Sequence, residues 1–139
     1  MRVLLWLVAL LALSCGAAKA GDSGWVRMTA AEFADYQFSR GDIRLDYFTL
    51  AEQSSWMSDE LRVLKLSLAG VNKGSDPVNV VVQLIAFDRA DQPLFVITAE
   101  PGFSQLSPGQ VEDFSGDVYV APGEFAQVAS YLVRISGSF

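Results

Sequence analysis

The sequence predicts an all-β protein: a single antiparallel β-sandwich of six to seven strands with one short N-terminal helix. Three observations predict this fold. Segments of alternating apolar and polar residues recur along the chain, as expected for strands with one buried face. Turn residues separate these segments about every ten residues, which is typical of a sandwich. Strand patterns do not alternate with helical ones, which argues against a parallel nucleotide-binding sheet.

The N-terminal segment Met1–Ala20 has the features of a secretory signal peptide. Arg2 provides the positive start, and Val3–Leu13 is an apolar stretch that is too short to span a bilayer as a helix. Ala18-Lys19-Ala20 has the small-x-small pattern of a cleavage site. We therefore expect a periplasmic protein that is cleaved after Ala20, with a β-sandwich domain over residues 21–139.

A lipid anchor at Cys15, the only cysteine in the chain, is the alternative. The sequence from Leu11 to Cys15 loosely resembles a bacterial lipobox, so the protein could instead be an envelope lipoprotein. If cleavage occurs after Ala20, the mature domain has no cysteine and depends on its core alone. That is ordinary for a domain of this size in a bacterial periplasm.

Charge and composition exclude several classes of function. The chain has 10 Lys and Arg against 16 Asp and Glu, and cleavage removes two basic residues, so 8 against 16 remain and the net charge is −8. Such a surface repels nucleic acids and anionic lipid headgroups, so we expect no nucleic-acid partner, and membrane contact only through a lipid anchor. Because the chain has no histidine, we expect no Zn, Cu or Fe site and no cofactor.

The first elements of the mature chain are a short strand and a helix. Trp25–Met28 is compatible with a strand. Thr29 and Glu32 have the spacing of a capping box, in which each side chain accepts a hydrogen bond from the other residue's backbone amide. The sequence therefore predicts a helix from Ala30 to about Ser39.

The next predicted strand, Ile43–Leu50, places Ile43, Leu45 and Tyr47 on one side.

A polar segment with two large apolar residues, Trp56 and Met57, follows this strand. These residues are either a hydrophobic plug, which we favour, or an exposed contact, because large aromatic residues on loops are common at binding sites.

The densest apolar pattern is a pair of strands, Arg62–Gly70 and Val78–Phe87, joined by a turn. The second strand is apolar on both faces. Such a strand is central in its sheet, covered by another segment, or part of a contact surface. We favour cover within the domain and keep the second face as a candidate partner contact; it carries Val81, Ile85 and Phe87.

Three more strands are predicted in the rest of the chain, at Leu94–Ala99, Val111–Val120 and Val128–Ser136. Asp88 follows the aromatic end of a strand. We expect its carboxylate to cap the next turn by accepting from backbone amides about two residues further on.

The chain from about residue 61 to residue 136 resembles a known family. Gly70-Val71-Asn72 ends one strand, Phe87-Asp88 closes the next, and Leu106-Ser107-Pro108-Gly109-Gln110 precedes a strand with Phe114. This order is similar to that of FxLYD-type domains, which are small immunoglobulin-like β-sandwiches of bacterial envelope proteins. The resemblance implies an immunoglobulin-like fold and an interaction role, and it supplies no catalytic residues.

No segment predicts catalysis. Gly21-Asp22-Ser23-Gly24 matches the nucleophile sequence of trypsin-like proteases, but a catalytic serine needs an oriented base and the chain has no histidine. We interpret this segment as a flexible leader. The acidic residues do not single out a pair with the features of a glycosidase site, nor do they follow the spacing of a calcium-binding loop.

We therefore expect a non-catalytic, exported cell-envelope protein that binds another envelope protein as an accessory subunit or adaptor. A carbohydrate- or small-ligand-binding module is the alternative, because Trp25 and Trp56 could stack on sugars.

Overall fold

The structure is a computed structural model that describes residues 21–139, so the predicted signal peptide, its cleavage after Ala20 and Cys15 lie outside the described residues. The all-β prediction is confirmed. The described chain contains nine strands, one α-helix and two 3₁₀ turns. The strands and helix are β1 (Gly21–Asp22), β2 (Val26–Thr29), α1 (Ala30–Ala34), β3 (Phe38–Arg40), β4 (Ile43–Ser54), β5 (Arg62–Asn72), β6 (Val80–Phe87), β7 (Pro93–Pro101), β8 (Val111–Val120) and β9 (Ser130–Gly137).

All strand pairs are antiparallel, in the order β1-β9-β6-β7-β8-β5-β4-β3, and β2 also pairs with β9. Strand β7 connects the two halves of this curled sheet. It pairs with β6 over most of its length, and with β8 only through Glu100 and Pro101. The sequence predicted fewer strands, because β1 and β3 are two and three residues long and too short to show an alternating pattern.

Gly116 allows β8 to approach β7 closely. A Cβ atom at this position would lie 1.9 Å from the carbonyl oxygen of Thr98. Because this oxygen belongs to the backbone, it cannot move aside as a flexible side chain could. Only glycine fits here, so the curl of the sheet depends on a position without a side chain.

One hydrophobic core fills the space inside the curl, and the predicted alternation is confirmed at most positions. Leu64, Leu66 and Leu68 of β5 are buried, as are Tyr131, Val133 and Ile135 of β9. The inward face of β6 is buried as well; its residues are Val80, Val82, Leu84 and Ala86.

The prediction for Tyr47 was wrong. Two residues of β4, Tyr47 and Phe48, face a single register position of β5, which makes a β-bulge. Tyr47 has a φ of 57° and its side chain is 77% exposed, while Phe48 is buried in its place. The bulge shifts the alternation by one residue, so the apolar ring of Phe48 enters the core in place of the tyrosine with its hydroxyl.

The helix is shorter than predicted. The capping box is confirmed: the Glu32 amide donates to Thr29 Oγ1 (3.2 Å) and the Thr29 amide donates to Glu32 Oε2 (2.6 Å). However, α1 ends at Ala34 and not near Ser39. Phe38 instead pairs with Leu45 in a hairpin and is buried, and this burial stabilises the fold more than further helical turns would.

The segment Gly21–Gly24 is bound to the sheet, so its interpretation as a flexible leader was wrong. Ser23 exchanges two hydrogen bonds with Ile135, one through its amide and one through its hydroxyl, each 2.8 Å long. The Gly24 amide donates to Asp22 Oδ1 (2.8 Å). This serine therefore acts as an edge contact of β9.

Asn72 is a buried polar residue, only 1% exposed, at the end of β5. Its Nδ2 donates to the carbonyl oxygens of Asp76 (2.7 Å) and Leu106 (3.1 Å), and its Oδ1 accepts from the Gly74 amide (2.9 Å). Its own carbonyl oxygen accepts from the Gly109 amide (2.7 Å). Asn72 thus joins the β5–β6 loop to the β7–β8 loop.

The predicted role of Asp88 is confirmed. Its Oδ1 accepts hydrogen bonds from the amides of Ala90 (2.8 Å) and Gln92 (2.9 Å).

Within residues 21–139, no helix has the length and apolar character needed to cross a membrane.

Replacing Asn72 with alanine should destabilise the protein. Three side-chain hydrogen bonds are lost, and the Leu106 carbonyl among their partners is buried, so we expect the free energy of unfolding to fall by about 2 kcal/mol. Urea unfolding followed by circular dichroism measures this change. Asn79→Ala is the matched control, since this exposed side chain makes no hydrogen bond in the described structure, and its effect should stay within about 0.5 kcal/mol. Equal effects of the two substitutions would contradict the role of Asn72.

Candidate functional site

The predicted contact residues lie on two separate surfaces of the described domain. The first, called the tip, is the loop Ser55–Leu61 between β4 and β5. The second, called the outer face, consists of the side chains of β2, β6, β7 and β9 that point away from the core. Trp56 and Met57 belong to the tip, and Val81, Ile85 and Phe87 belong to the outer face.

Large apolar side chains project from the tip into solvent. Trp56 is 88% exposed and Met57 is 54% exposed, so the interpretation of this pair as a hydrophobic plug was wrong. Leu61 is exposed as well. Val63 and Tyr119 form the second β5–β8 pair from the loop, and Tyr119 is also exposed. Apolar surface thus extends from the loop onto one end of the sheet.

The backbone of the tip is held by local hydrogen bonds. The hydroxyl of buried Ser55 accepts from the Met57 amide (3.1 Å), and that of Ser58 accepts from the Glu60 amide (3.0 Å). Arg62 Nη1 donates to the carbonyl oxygens of Asp59 (3.0 Å) and Leu61 (3.1 Å). These bonds fix the loop in a conformation that keeps Trp56 in solvent.

The tip is also acidic. Asp59 and Glu60 are exposed, and within the described chain neither carboxylate forms an ion pair. The nearest cation along the chain, Arg62, is occupied by the loop carbonyls and lies 3.9 Å from Glu52 Oε1. An exposed tryptophan beside two uncompensated carboxylates is a combination that suits a partly apolar, cationic ligand.

The outer face contains an apolar row that crosses several strands. In the sheet register, Leu132 lies beside Ile85, which lies beside Val96. Ile85 and Leu132 are partly buried, and Val96 is 55% exposed. Phe87 is partly buried beneath Arg27, whose guanidinium lies 4.9 Å from the ring centroid. The face is therefore shielded at Phe87 and open at Val96.

An ion pair lies at the other side of the outer face. Both carboxylate oxygens of Asp22 accept from Arg134 Nε (3.0 Å each), and the Arg134 guanidinium lies 5.8 Å from the ring centroid of Trp25. The hydrogen bond from Arg134, with a smaller contribution from the Gly24 amide, lowers the pKa of Asp22 to about 2. The same hydrogen bond raises the pKa of Arg134.

Sequence reasoning missed several exposed apolar residues. Tyr47 and Val111 line an open groove of about 300 Å³ on the half that contains β4, β5 and β8. Phe103 is fully exposed in the β7–β8 loop, with a φ of 58°. The alternating pattern gave no signal for Tyr47, because a bulge is set by the register with the neighbouring strand.

Within residues 21–139, no group of three or more Asp, Glu, His or Cys residues is arranged to hold a metal ion.

Comparisons of the chain with protein-family models, curated proteins and solved structures found no match.

The Asp22–Arg134 pair makes a testable contribution to acid stability. Because the pKa of Asp22 is lowered in the folded state, the pair's contribution is fully present above about pH 4 and is lost as the pH falls toward about 2. We expect an NMR titration of the Asp22 carboxyl carbon to show a midpoint near 2.

Arg134→Gln should move the midpoint of this titration toward the ordinary value of 3.8. Arg27→Gln is the control, because Arg27 pairs with Asp91 (2.8 Å) and should leave the Asp22 midpoint unchanged. If the Asp22 midpoint stays near 2 in Arg134→Gln, the ion pair does not set the pKa of Asp22.

Proposed function

We propose that this protein is an exported, immunoglobulin-like β-sandwich of the bacterial cell envelope that binds another envelope protein as a non-catalytic accessory subunit or adaptor. The observation that carries this proposal is the tip, where hydrogen bonds hold an 88% exposed tryptophan in solvent. Tryptophans that stay exposed on ordered loops are typical anchors of protein interfaces.

Strand pairing supports the immunoglobulin-like part of the proposal. Strands β4, β5 and β8 lie side by side, like strands A, B and E of an immunoglobulin domain. Strands β7, β6 and β9 lie in the order of C′, C and F. The place of the last strand, G, beside F is taken by β2 from the N-terminal part of the chain. The resemblance to FxLYD-type domains is consistent with this arrangement.

The N-terminal sequence supports a periplasmic location after cleavage at Ala20, with anchoring through Cys15 as the alternative. The acidic surface of the domain fits a protein partner better than nucleic acid or an anionic membrane. In this proposal the tip is the main contact, and the outer face around Val81, Ile85 and Phe87 is a second one.

Replacing Trp56 with alanine should abolish recovery of the partner. The test is chemical cross-linking of the tagged full-length protein in its native cells, followed by mass spectrometry of the proteins that co-purify. Truncating an anchor tryptophan costs about 2 kcal/mol or more in binding, which lowers recovery at least tenfold. Because Trp56 lies outside the core, thermal unfolding should not change.

Phe103→Ala is the matched control for this experiment, since it truncates another exposed aromatic residue, located between β7 and β8. This variant should recover the partner like the native protein. Equal recovery with Trp56→Ala would overturn the role of the tip. The same preparation reports the mature N-terminus and so separates cleavage after Ala20 from lipidation at Cys15.

A charge on the outer face should weaken the second contact. Val96→Lys places a cation beside Ile85 without removing a buried side chain, so we expect reduced partner recovery with unchanged unfolding. Val111→Lys is the control, because it changes another exposed valine, which lies on the other half of the sheet. If Val96→Lys leaves recovery of the partner unchanged, the outer face does not contact the partner.

Carbohydrate binding is the second candidate function, and the exposed ring of Trp56 favours it. An oligosaccharide that stacks on this ring would change the tryptophan fluorescence of the native protein and not that of Trp56→Ala. A panel of envelope glycans without any fluorescence response would end this candidate.

A further inference from the structure

The free edge of β4 leads directly into the tip. Strand β3 pairs with β4 only from Ile43 to Leu45, whereas β4 continues to Ser54. The last four residues, Ala51–Ser54, pair with β5 on one side, have no strand from residues 21–139 on the other, and are all exposed. The ring contact between Phe33 and Phe48 (5.8 Å) places α1 beside the bulge, before this stretch begins. The edge thus has unpaired backbone groups for an added strand.

Beyond the bulge at Tyr47, this edge has little protection against strand addition. Natural edge strands carry lysine or proline, or they are covered by another segment. The stretch Thr49–Ser54 contains neither residue type, and its only charge is Glu52. The bulge at Tyr47 twists β4 before this stretch begins and so limits strand addition at that end, whereas the other end leads into the tip.

The tip determines which kind of strand fits. A chain that pairs with Ala51–Ser54 and continues past Ser54 comes to the β4–β5 loop, which carries Trp56, Asp59 and Glu60. The tryptophan ring attracts cations, and the two carboxylates have no ion pair within the described chain. The site is therefore complementary to an extended segment with a lysine or arginine at the end that lies on the tip.

We propose that the partner binds by strand addition: an extended segment of the partner pairs with the free edge of β4, and a basic side chain of that segment contacts Trp56, Asp59 and Glu60. This inference rests on the proposed function and specifies its contact mode. A second copy of this chain fits less well, because self-pairing brings the Glu52 carboxylates of two copies to the same short edge. An anionic membrane is repelled by the acidic tip.

The test uses synthetic peptides of about ten residues in which valine and threonine alternate and two arginines stand at one end. Hydrogen exchange of the mature protein, measured residue by residue with NMR, should show protection of backbone amides within Ala51–Ser54 when the peptide is added. A variant of the peptide with glutamates in place of the arginines should bind at least tenfold more weakly, and Trp56→Ala should weaken the parent peptide similarly.

Two N-methylated peptides distinguish strand addition from contact through side chains. Each carries methyl groups on alternate amides, so each has one blocked edge. Strand addition predicts that only one of the two loses binding, because only one edge faces β4. Equal binding of both, or no protection within Ala51–Ser54, would overturn the inference.

The remaining outcomes also decide the question. Concentration-dependent dimers, or binding to vesicles of phosphatidylcholine with phosphatidylglycerol that Trp56→Ala abolishes, would replace the partner segment with a second copy or a membrane. If Trp56→Ala loses the cross-linked envelope partner while the peptides fail, the proposed function stands and strand addition falls.

Discussion

The hydrogen bonds of Asn72 are the constraint on which the arrangement of the loops depends. An amide side chain in an apolar core is stable only when all its polar atoms have partners, and Asn72 finds them in the backbone of two separate loops. This fixes the end of β5 relative to the β7–β8 connection. Because β5 pairs with both β4 and β8, its position also sets the opposite end of the hairpin, where the tip projects.

Most of the fold could be predicted from the sequence, because side-chain alternation in β5, β6 and β9 reports directly which face is buried. The errors occurred where nonlocal packing outweighs local pattern. Burial of Phe48 displaces Tyr47 into a bulge, and burial of Phe38 ends the helix early. Strand β1 exists because Ser23 and Asp22 bond to residues more than a hundred positions away. No local signal reveals such bonds.

The candidate site was predictable in its residues and not in its geometry. Trp56 and Met57 stood out as large apolar residues in a polar segment, but their exposure depends on hydrogen bonds made by Ser55, Ser58 and Arg62. Serine side chains often bond to nearby amides, so these bonds follow a known tendency without being dictated by it. The free edge of β4 was beyond prediction, because it results from the short length of β3.

The pairing of β1 and β2 with β9 has a consequence for how the chain acquires its structure. These N-terminal strands find their only sheet partner in the last strand of the described chain, so they cannot join the sheet before β9 has formed. A polypeptide that is threaded N-terminus first through a membrane therefore leaves this edge of the domain incomplete until its final strand has crossed. Such high contact order delays folding, and in the export route proposed above this delay leaves the chain unfolded while it crosses the membrane.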